Sequence, residues 1–515
     1  MPGLRALAVA LALGFLAAAC APRAESHTLN YYFSYDPRSL DPALSTDVPT
    51  GEVVTLLFDN LTQFDAAGQL VPGLARTWET DSTGRRWTFH LVRGARFHDG
   101  RALTAEDVRA SYLRALRPGA SGGRAWPLYP IAGARAYADG RAREVPGIRV
   151  VNDTVVEFTL EEPLNIFPKL LAMPVAAIVP TPTPQGFDQQ PVGSGPWRFV
   201  SWAHDDEILL VRNPDYWGGP PEADSLRIRI IPEPLTQAAE YEAGHLSVVE
   251  IPFGETLRWQ QTHEPELQRR PSLRAMYVAL NTTRGPLRDV RVRQAINHAV
   301  NVPVILRTMM GDRGVPAAGA VPPGLAGHDS SRPRYRFDPA KARRLLAQAG
   351  YPDGIDLKLW RSQRPEYARV AQAVQRYLGD VGIRVEIIER DASSARAAAR
   401  KGEADMFLTD WYADYPDAEN FTYPLFHSKN HGPGGNLAFL SDPTLDALIE
   451  RARQTMDEAE KVALIRTIDR RVFDLAPWLF CWFPVDLWAM RPGVTGWSIP
   501  AIFTGQRWTR VRHTS

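Results

Sequence analysis

The sequence contains very few cysteines and lysines. Of its 515 residues, two are Cys, at positions 20 and 481, and six are Lys, so Arg carries most of the positive charge. Two cysteines cannot build the disulfide framework of a small secreted scaffold. With 59 basic and 58 acidic residues the net charge is +1, which argues against a nucleic-acid-binding protein, where a basic excess is expected. No long apolar run follows the first twenty residues, so we expect a soluble mature protein.

The N-terminus has the pattern of an exported lipoprotein. Arg5 precedes the apolar run 6–19, which is too short for a comfortable membrane span and is typical of a signal peptide. The run ends in three Ala before Cys20, which predicts a signal peptide over 1–19, a lipidated Cys20 and a tether over 20–26. The alternative is an ordinary signal peptide cut nearby. If Cys20 is acylated, Cys481 has no partner, and its aromatic neighbours predict a buried, unreactive thiol.

The rest of the chain alternates between short strands and capped helices. Thr104 to Asp107 resembles a capping box, and Asp338 and Asp442 each precede a Pro at the first position of a helix. Strands are predicted over 154–160, 226–231, 355–360 and 384–388. Because the two kinds of element alternate without a clean break, the predicted fold class is mixed α/β with interleaved domains.

A series of short motifs, each weak alone, occurs in a characteristic order along the mature chain. The motifs are Leu40-Asp41-Pro42, Pro72-Gly73-Leu74-Ala75 with Trp78, Trp87 to Gly94, His98-Asp99-Gly100, Leu103 to Val108, Pro191 to Trp197, Asn213 to Gly218, Asp289 to Ala295, Ala347 to Pro352 and Trp411 to Tyr415. In this order they resemble extracellular solute-binding protein family 5, the oligopeptide- and dipeptide-binding proteins of ABC importers. The resemblance covers nearly all of the mature chain.

The resemblance implies a two-lobed fold of the type II periplasmic-binding-protein kind, with an extra inserted domain and a cleft that closes by a hinge. One lobe would be discontinuous, over 27–62, 188–278 and 487–515. The inserted domain would span 63–187, and the second lobe 279–486. The ligand would lie between the lobes, held by few but well-placed polar groups.

The segment 410–424 is the predicted ligand site, because it combines aromatic residues with several acids. In family members resembling this chain, the Asp of the Trp-x-x-Asp-Tyr motif pairs with the ammonium of a peptide, and Asp414 matches that position. A carboxylate suits this role because charge-assisted hydrogen bonds are short and strong. The alternative is that Asp414 caps a turn. Trp411 and Tyr415 are predicted to line the cleft, with core packing as the alternative.

The carboxylate end of a peptide requires a cation. Arg364 follows the strand predicted over 355–360 and resembles the Arg that meets the ligand carboxylate in dipeptide-binding members of the family. Arg suits bidentate carboxylate capture. The alternative is a solvated surface Arg, since Arg is abundant in this chain.

The sequence carries no recognisable catalytic motif, and we expect neither an enzyme, a cofactor nor a metal site. His427 and His431 have metal-ligand spacing only on a helix, and the glycines at 432–435 predict a loop. Paired acids occur as in any chain of this size, but a glycosidase would not explain the ordered motifs. The predicted function is peptide capture for an ABC permease by a monomer, anchored by lipid in the periplasm or at the cell surface. The alternatives are the same fold binding a metal chelate, sugar, haem or signalling molecule, and an exported enzyme or structural protein using this fold.

Overall fold

A computed structural model describes residues 27–122 and 124–513. The signal peptide, Cys20 and the tether predicted over 20–26 lie outside the described residues. In the described ranges, no helix combines the length and the apolar character needed to cross a membrane.

The strands are short and spread along the whole described chain. They are β1 (Thr28–Phe33), β2 (Thr62–Phe64), β3 (Leu70–Pro72), β4 (Ala75–Thr80), β5 (Arg86–Leu91), β6 (Ile148–Asn152), β7 (Val155–Thr159), β8 (Trp197–Ala203), β9 (Glu207–Arg212), β10 (Ser225–Ile230), β11 (Val248–Glu250), β12 (Leu267–Pro271), β13 (Arg274–Leu280), β14 (Gly314–Pro316), β15 (Ile355–Ser362), β16 (Ile383–Arg390), β17 (Met406–Tyr412), β18 (Trp478–Met490), β19 (Val494–Thr495) and β20 (Arg512–His513). The four predicted strands match β7, β10, β15 and β16, with no end displaced by more than two residues.

The helices lie between these strands. They are α1 (Val48–Leu57), α2 (Ala105–Leu116), α3 (Ala134–Ala138), α4 (Phe167–Leu170), α5 (Pro234–Glu242), α6 (Thr256–Thr262), α7 (Val290–Ala299), α8 (Val302–Met310), α9 (Pro339–Gln348), α10 (Pro365–Gly379), α11 (Ala392–Arg400), α12 (Tyr423–Phe426), α13 (Pro443–Gln454) and α14 (Glu458–Leu475). Short 3₁₀ helices add Pro42–Leu44, Trp126–Leu128, Pro174–Ala176, Phe253–Glu255, Glu264–Glu266, Gly285–Arg288, Ala418–Phe421, Ser428–Asn430, Gly432–Gly434 and Phe503–Gly505.

The predicted helix starts coincide with observed caps. The Asp338 carboxylate accepts a hydrogen bond from the Lys341 N–H at 2.8 Å, and Asp442 accepts one from the Leu445 N–H at 2.7 Å. Each bond satisfies one backbone donor that the first turn of a helix leaves unpaired. These aspartates begin α9 and α13, as predicted from the sequence.

Two four-stranded sheets and one eight-stranded sheet form the framework. One small sheet has the order β1-β10-β9-β8, with β1 parallel to β10, and the other is the antiparallel sheet β4-β5-β7-β6. The large sheet has the order β11-β18-β13-β17-β15-β16, and β12 and β14 also pair with β18. In it, β15 is parallel to both β16 and β17, whereas β17 is antiparallel to β13.

Strand β18 connects two parts of the molecule. Its first half pairs with β13 and β14, and its second half pairs with β11 and β12. The first half, residues 478–484, is continuously buried, as expected from the aromatic neighbours of Cys481. Cys481 is buried there, and burial raises the pKa of its thiol to about 12, so the thiolate is suppressed at neutral pH.

The buried residues form separate hydrophobic clusters rather than one continuous core. One cluster is built mainly from residues 61–178, another from 29–58 together with 177–248 and 494–511, and two more from 273–483. The boundaries given above for the lobes and the inserted domain stay a prediction. The clusters position β17 and the loop after it, which carry the site described next.

Candidate ligand-binding site

Asp414 lies in the loop between β17 and the 3₁₀ helix Ala418–Phe421, and its side chain is half-buried. Its backbone N–H donates a hydrogen bond to Oδ1 of Asn420 at 3.0 Å. The Asn420 side-chain amide in turn donates to Oδ2 of Asp414 at 3.4 Å. The loop is thus closed onto the helix by one buried amide.

The carboxylate of Asp414 is the unpaired one in this segment. Asp410 and Asp417 on either side form ion pairs, whereas no ion pair within the described ranges reaches Asp414. Burial raises the pKa of Asp414 above its ordinary value, against the hydrogen bond from Asn420 and the charge of Arg124, which lower it. A poorly hydrated carboxylate without a counter-ion is a favourable partner for an incoming cation.

Trp411 is tied to the same amide. Its indole N–H donates to Oδ1 of Asn420 at 3.1 Å, so Oδ1 accepts two hydrogen bonds. The side chain of Trp411 is partly buried. The structure thus brings Trp411 and Asp414 together through Asn420, a residue that the sequence analysis did not single out.

Tyr415 points into protein rather than into open space. It is 3% exposed, its hydroxyl donates to the Glu419 carboxylate, and its ring centre lies 6.3 Å from that of Trp126. It packs in the cluster built mainly from residues 61–178. These contacts match the alternative of core packing, and a role of Tyr415 in binding stays a prediction.

Arg364 lies beside Asp410 of β17. Its side chain is 49% exposed, and its Nη1 is 3.8 Å from Oδ1 of Asp410. Asp410 already holds Arg274 at 2.6 Å and accepts a hydrogen bond from the Tyr367 hydroxyl. Burial raises the pKa of Asp410, but Arg274, Tyr367 and Arg364 outweigh it, and the pKa lies below its ordinary value. The Arg364 guanidinium also lies over the Tyr367 ring, 5.4 Å from its centre.

Asp417 is held by two lysines. Its Oδ2 lies 2.6 Å from Nζ of Lys169 and 2.7 Å from Nζ of Lys461. Burial alone would raise the pKa of Asp417, but the two ammonium groups hold it below its ordinary value. Asp417 also caps the helix Ala418–Phe421 by accepting a hydrogen bond from the Glu419 N–H at 2.8 Å. This buried group fixes the loop that carries Asp414.

Further acids surround the exposed end of β17. Tyr412 is 37% exposed, and its electrostatic neighbours include Asp486, Glu52 and Glu250. Burial raises the pKa of Glu52 to about 8. The acids come from β18, α1 and β11, which are far apart in sequence, so no local pattern could have grouped them.

Replacing Glu52 by Gln is expected to weaken the dependence of stability on pH. Burial raises the folded-state pKa from 4.5 to about 8, so the folded protein binds this proton more tightly than the unfolded chain. The resulting stabilisation is complete below pH 4.5 and is lost as the pH rises through 8. Between these limits, the wild type should lose roughly 1–3 kcal/mol more free energy of unfolding than the variant.

Urea unfolding at pH 5 and pH 8.5 measures this difference. The exposed Glu386, whose side chain is 61% accessible, provides the matched control Glu386→Gln. Equal losses of stability in Glu52→Gln and in the wild type would contradict the prediction.

The histidines considered in the sequence have protein partners. His427 lies 3.2 Å from Oε1 of Glu450, and Nε2 of His431 lies 2.9 Å from the carbonyl oxygen of Leu440. Among residues 27–122 and 124–513, no cluster of three or more His, Cys, Asp or Glu is arranged to hold a metal ion.

Comparison with known proteins shows which family has this architecture. The family model described as bacterial extracellular solute-binding proteins, family 5 Middle, matches residues 69–433. The chain is 30% identical to the glutathione-binding protein GsiB of Escherichia coli (strain K12) over 490 residues, 93% of this chain and 92% of GsiB.

Solved structures agree over almost the whole chain. HbpA2 from Haemophilus parasuis matches with a TM-score of 0.82 and 26% identity, covering 95% of this chain and 100% of HbpA2. The ABC transporter-associated periplasmic binding protein DppA from Helicobacter pylori, in complex with the peptide STSA, matches with a TM-score of 0.77 and 26% identity, covering 95% and 98%.

These matches confirm the predicted family and the two-lobed α/β fold. The relatives are binding proteins and not enzymes, which agrees with the prediction for this chain. The chain belongs to family 5 of the bacterial extracellular solute-binding proteins.

Proposed function

We propose that this protein is a lipid-anchored receptor that captures peptides and delivers them to an ABC permease, with Asp414 receiving the peptide ammonium. The observation that carries the proposal is the half-buried Asp414 carboxylate, which lacks an ion-pair partner in the described ranges while Asp410 and Asp417 beside it are paired. The relatives support a peptide ligand, since GsiB is named for glutathione and the Helicobacter pylori protein carries STSA.

A peptide ammonium would provide the counter-ion that the Asp414 carboxylate lacks among the described residues. Burial disfavours the ionised carboxylate, and a cation at hydrogen-bond distance favours it again. The ligand therefore supplies the charge that the protein omits. Trp411, held by the same amide as Asp414, would pack against the first residue of the peptide.

Arg364 would receive the other end of a short peptide. Its exposed guanidinium makes one 3.8 Å contact with Asp410, beyond hydrogen-bond distance, so its donors can turn to a ligand carboxylate.

Lipidation at Cys20 would keep the receptor at the membrane beside its permease. The protein would act as a monomer whose two lobes close on the peptide. One lobe would consist of residues 27–62, 188–278 and 487–515, and the other of residues 279–486. The segment 63–187 would form the inserted domain. Retention of the protein at the membrane should disappear in Cys20→Ser if the anchor is acyl chains on this thiol.

Calorimetric titration of the purified protein with defined peptides tests the proposal. The ligands are Ser-Thr-Ser-Ala, a dipeptide and glutathione, each with a free amine and in N-acetylated form. We expect at least one free-amine peptide to bind with a stoichiometry of one and its acetylated form to bind much more weakly. Equal affinities for the two forms would contradict the role of Asp414, and binding of none of the peptides would contradict the ligand class.

A further inference from the structure

We infer that Asn420 is the positioning residue of this site, which orients the Asp414 carboxylate and the Trp411 indole for the ligand. The inference rests on the proposed function of Asp414. Asn420 is 2% exposed, and both ends of its side-chain amide are used. Oδ1 accepts hydrogen bonds from the Trp411 indole at 3.1 Å and from the Asp414 N–H at 3.0 Å, while Nδ2 donates to Oδ2 of Asp414 at 3.4 Å.

Asn420 can act in this way because its own helix is firmly held. The helix Ala418–Phe421 begins at Asp417, whose carboxylate binds Lys169 and Lys461. Glu419, in the same helix, accepts a hydrogen bond from Nε of Arg453 at 2.7 Å and another from the Tyr415 hydroxyl. Buried, fully engaged groups of this kind restrict side-chain freedom, so the Asn420 amide has a defined direction.

The Asn420 amide also acts on the charge of Asp414. Burial raises the pKa of Asp414, and the nearby Glu419 raises it further, whereas the Asn420 hydrogen bond and Arg124 lower it. Arg124 comes from the segment predicted to form the inserted domain, and Glu419 from the helix beneath the loop. Asn420 is the neighbour that donates a hydrogen bond to the carboxylate, and it helps to keep this group ionised and able to bind an ammonium.

The substitution Asn420→Asp separates the two roles of the side chain. It keeps an acceptor for the Trp411 and Asp414 N–H groups but replaces the donor by a second carboxyl group beside Asp414. Two neighbouring carboxyls share a proton, so Asp414 should need a higher pH to ionise. The pH below which free-amine peptides dissociate should therefore rise by about one unit. At a pH below the wild-type midpoint of this profile, the ratio of affinities for free-amine and N-acetylated peptide should fall by up to about tenfold.

The affinity ratio does not depend on the fraction of folded protein, so a general loss of stability would leave it unchanged. The matched control is Asn430→Asp, because the Asn430 amide donates to the Tyr423 carbonyl at 2.7 Å and contacts neither Trp411 nor Asp414. If Asn420→Asp does not fold, Asn420→Ser removes the same amide donor and should also lower the ratio of affinities for free-amine and N-acetylated peptide.

The outcomes separate this inference from the function on which it rests. A lowered ratio with a shifted pH profile in the Asn420 variants, and neither change in Asn430→Asp, supports the positioning role. If Asp414→Asn loses binding while the Asn420 variants keep the wild-type ratio and pH profile, the positioning role is overturned and the proposed function stands. If Asp414→Asn binds free-amine peptides like the wild type, the proposed function fails first.

Discussion

Replacing Asp414 by Asn is expected to weaken the binding of free-amine peptides by roughly 2–5 kcal/mol, the usual loss when one partner of a buried charge pair is removed. The variant keeps the size of the side chain and its neighbour Asn420 but removes the negative charge. The ligand ammonium would then be desolvated without a counter-ion. Calorimetric titration of both proteins with the same peptide measures the difference.

Two controls sharpen this test. N-acetylated peptides lack the ammonium, so they should bind the wild type and Asp414→Asn with similar, low affinity. Asp356→Asn removes a carboxylate that is 75% exposed and paired with Arg384, and it should leave peptide affinity unchanged. Wild-type affinity of Asp414→Asn for free-amine peptides would contradict the assignment.

Replacing Asp417 by Asn is expected to lower the free energy of unfolding by about 3–5 kcal/mol at pH 7. The carboxylate and Lys461 are each under a tenth exposed, and Lys169 is partly buried. Without the carboxylate, two ammonium groups remain close together with little water to solvate them. Breaking a buried ion pair is costly for this reason, even where the intact pair adds little net stability. Urea unfolding measures the loss.

A double substitution separates charge from packing in this triad. Adding Lys461→Met to Asp417→Asn removes one of the two uncompensated charges and should recover part of the lost stability. A loss below about 1 kcal/mol in Asp417→Asn would show that the triad behaves like a surface ion pair and would contradict the account.

The local elements could be predicted because their signals lie within a few residues. Asp338 and Asp442 each precede a Pro at the first helical position, a pattern that predicts a helix cap, and both caps occur. In α7, Val292, Ala295, Ile296 and Ala299 recur at the spacing of one helix face, and all four are buried. The ordered motifs indicated the family, and the family implied the two-lobed fold.

The architecture of the site could not be predicted, because its partners are distant in sequence. Lys169 reaches Asp417 across 248 positions, and no local pattern marks such a pair. Tyr415 is predicted from the sequence to line the cleft, with core packing as the alternative, and only the packing against Trp126 and Glu419 shows its surroundings. Asn420 lies six residues after Asp414, and this spacing does not by itself predict a contact. The two residues meet because the loop folds back onto the helix Ala418–Phe421.

Native mass spectrometry of the purified protein beside its Asp414→Asn variant tests the central claim most directly. We expect the wild type to carry a ladder of bound masses that are released on denaturation and sequence as peptides, and the variant to be largely free of them. A single discrete non-peptide mass on the wild type, or the same peptide ladder on both proteins, would contradict peptide capture through Asp414.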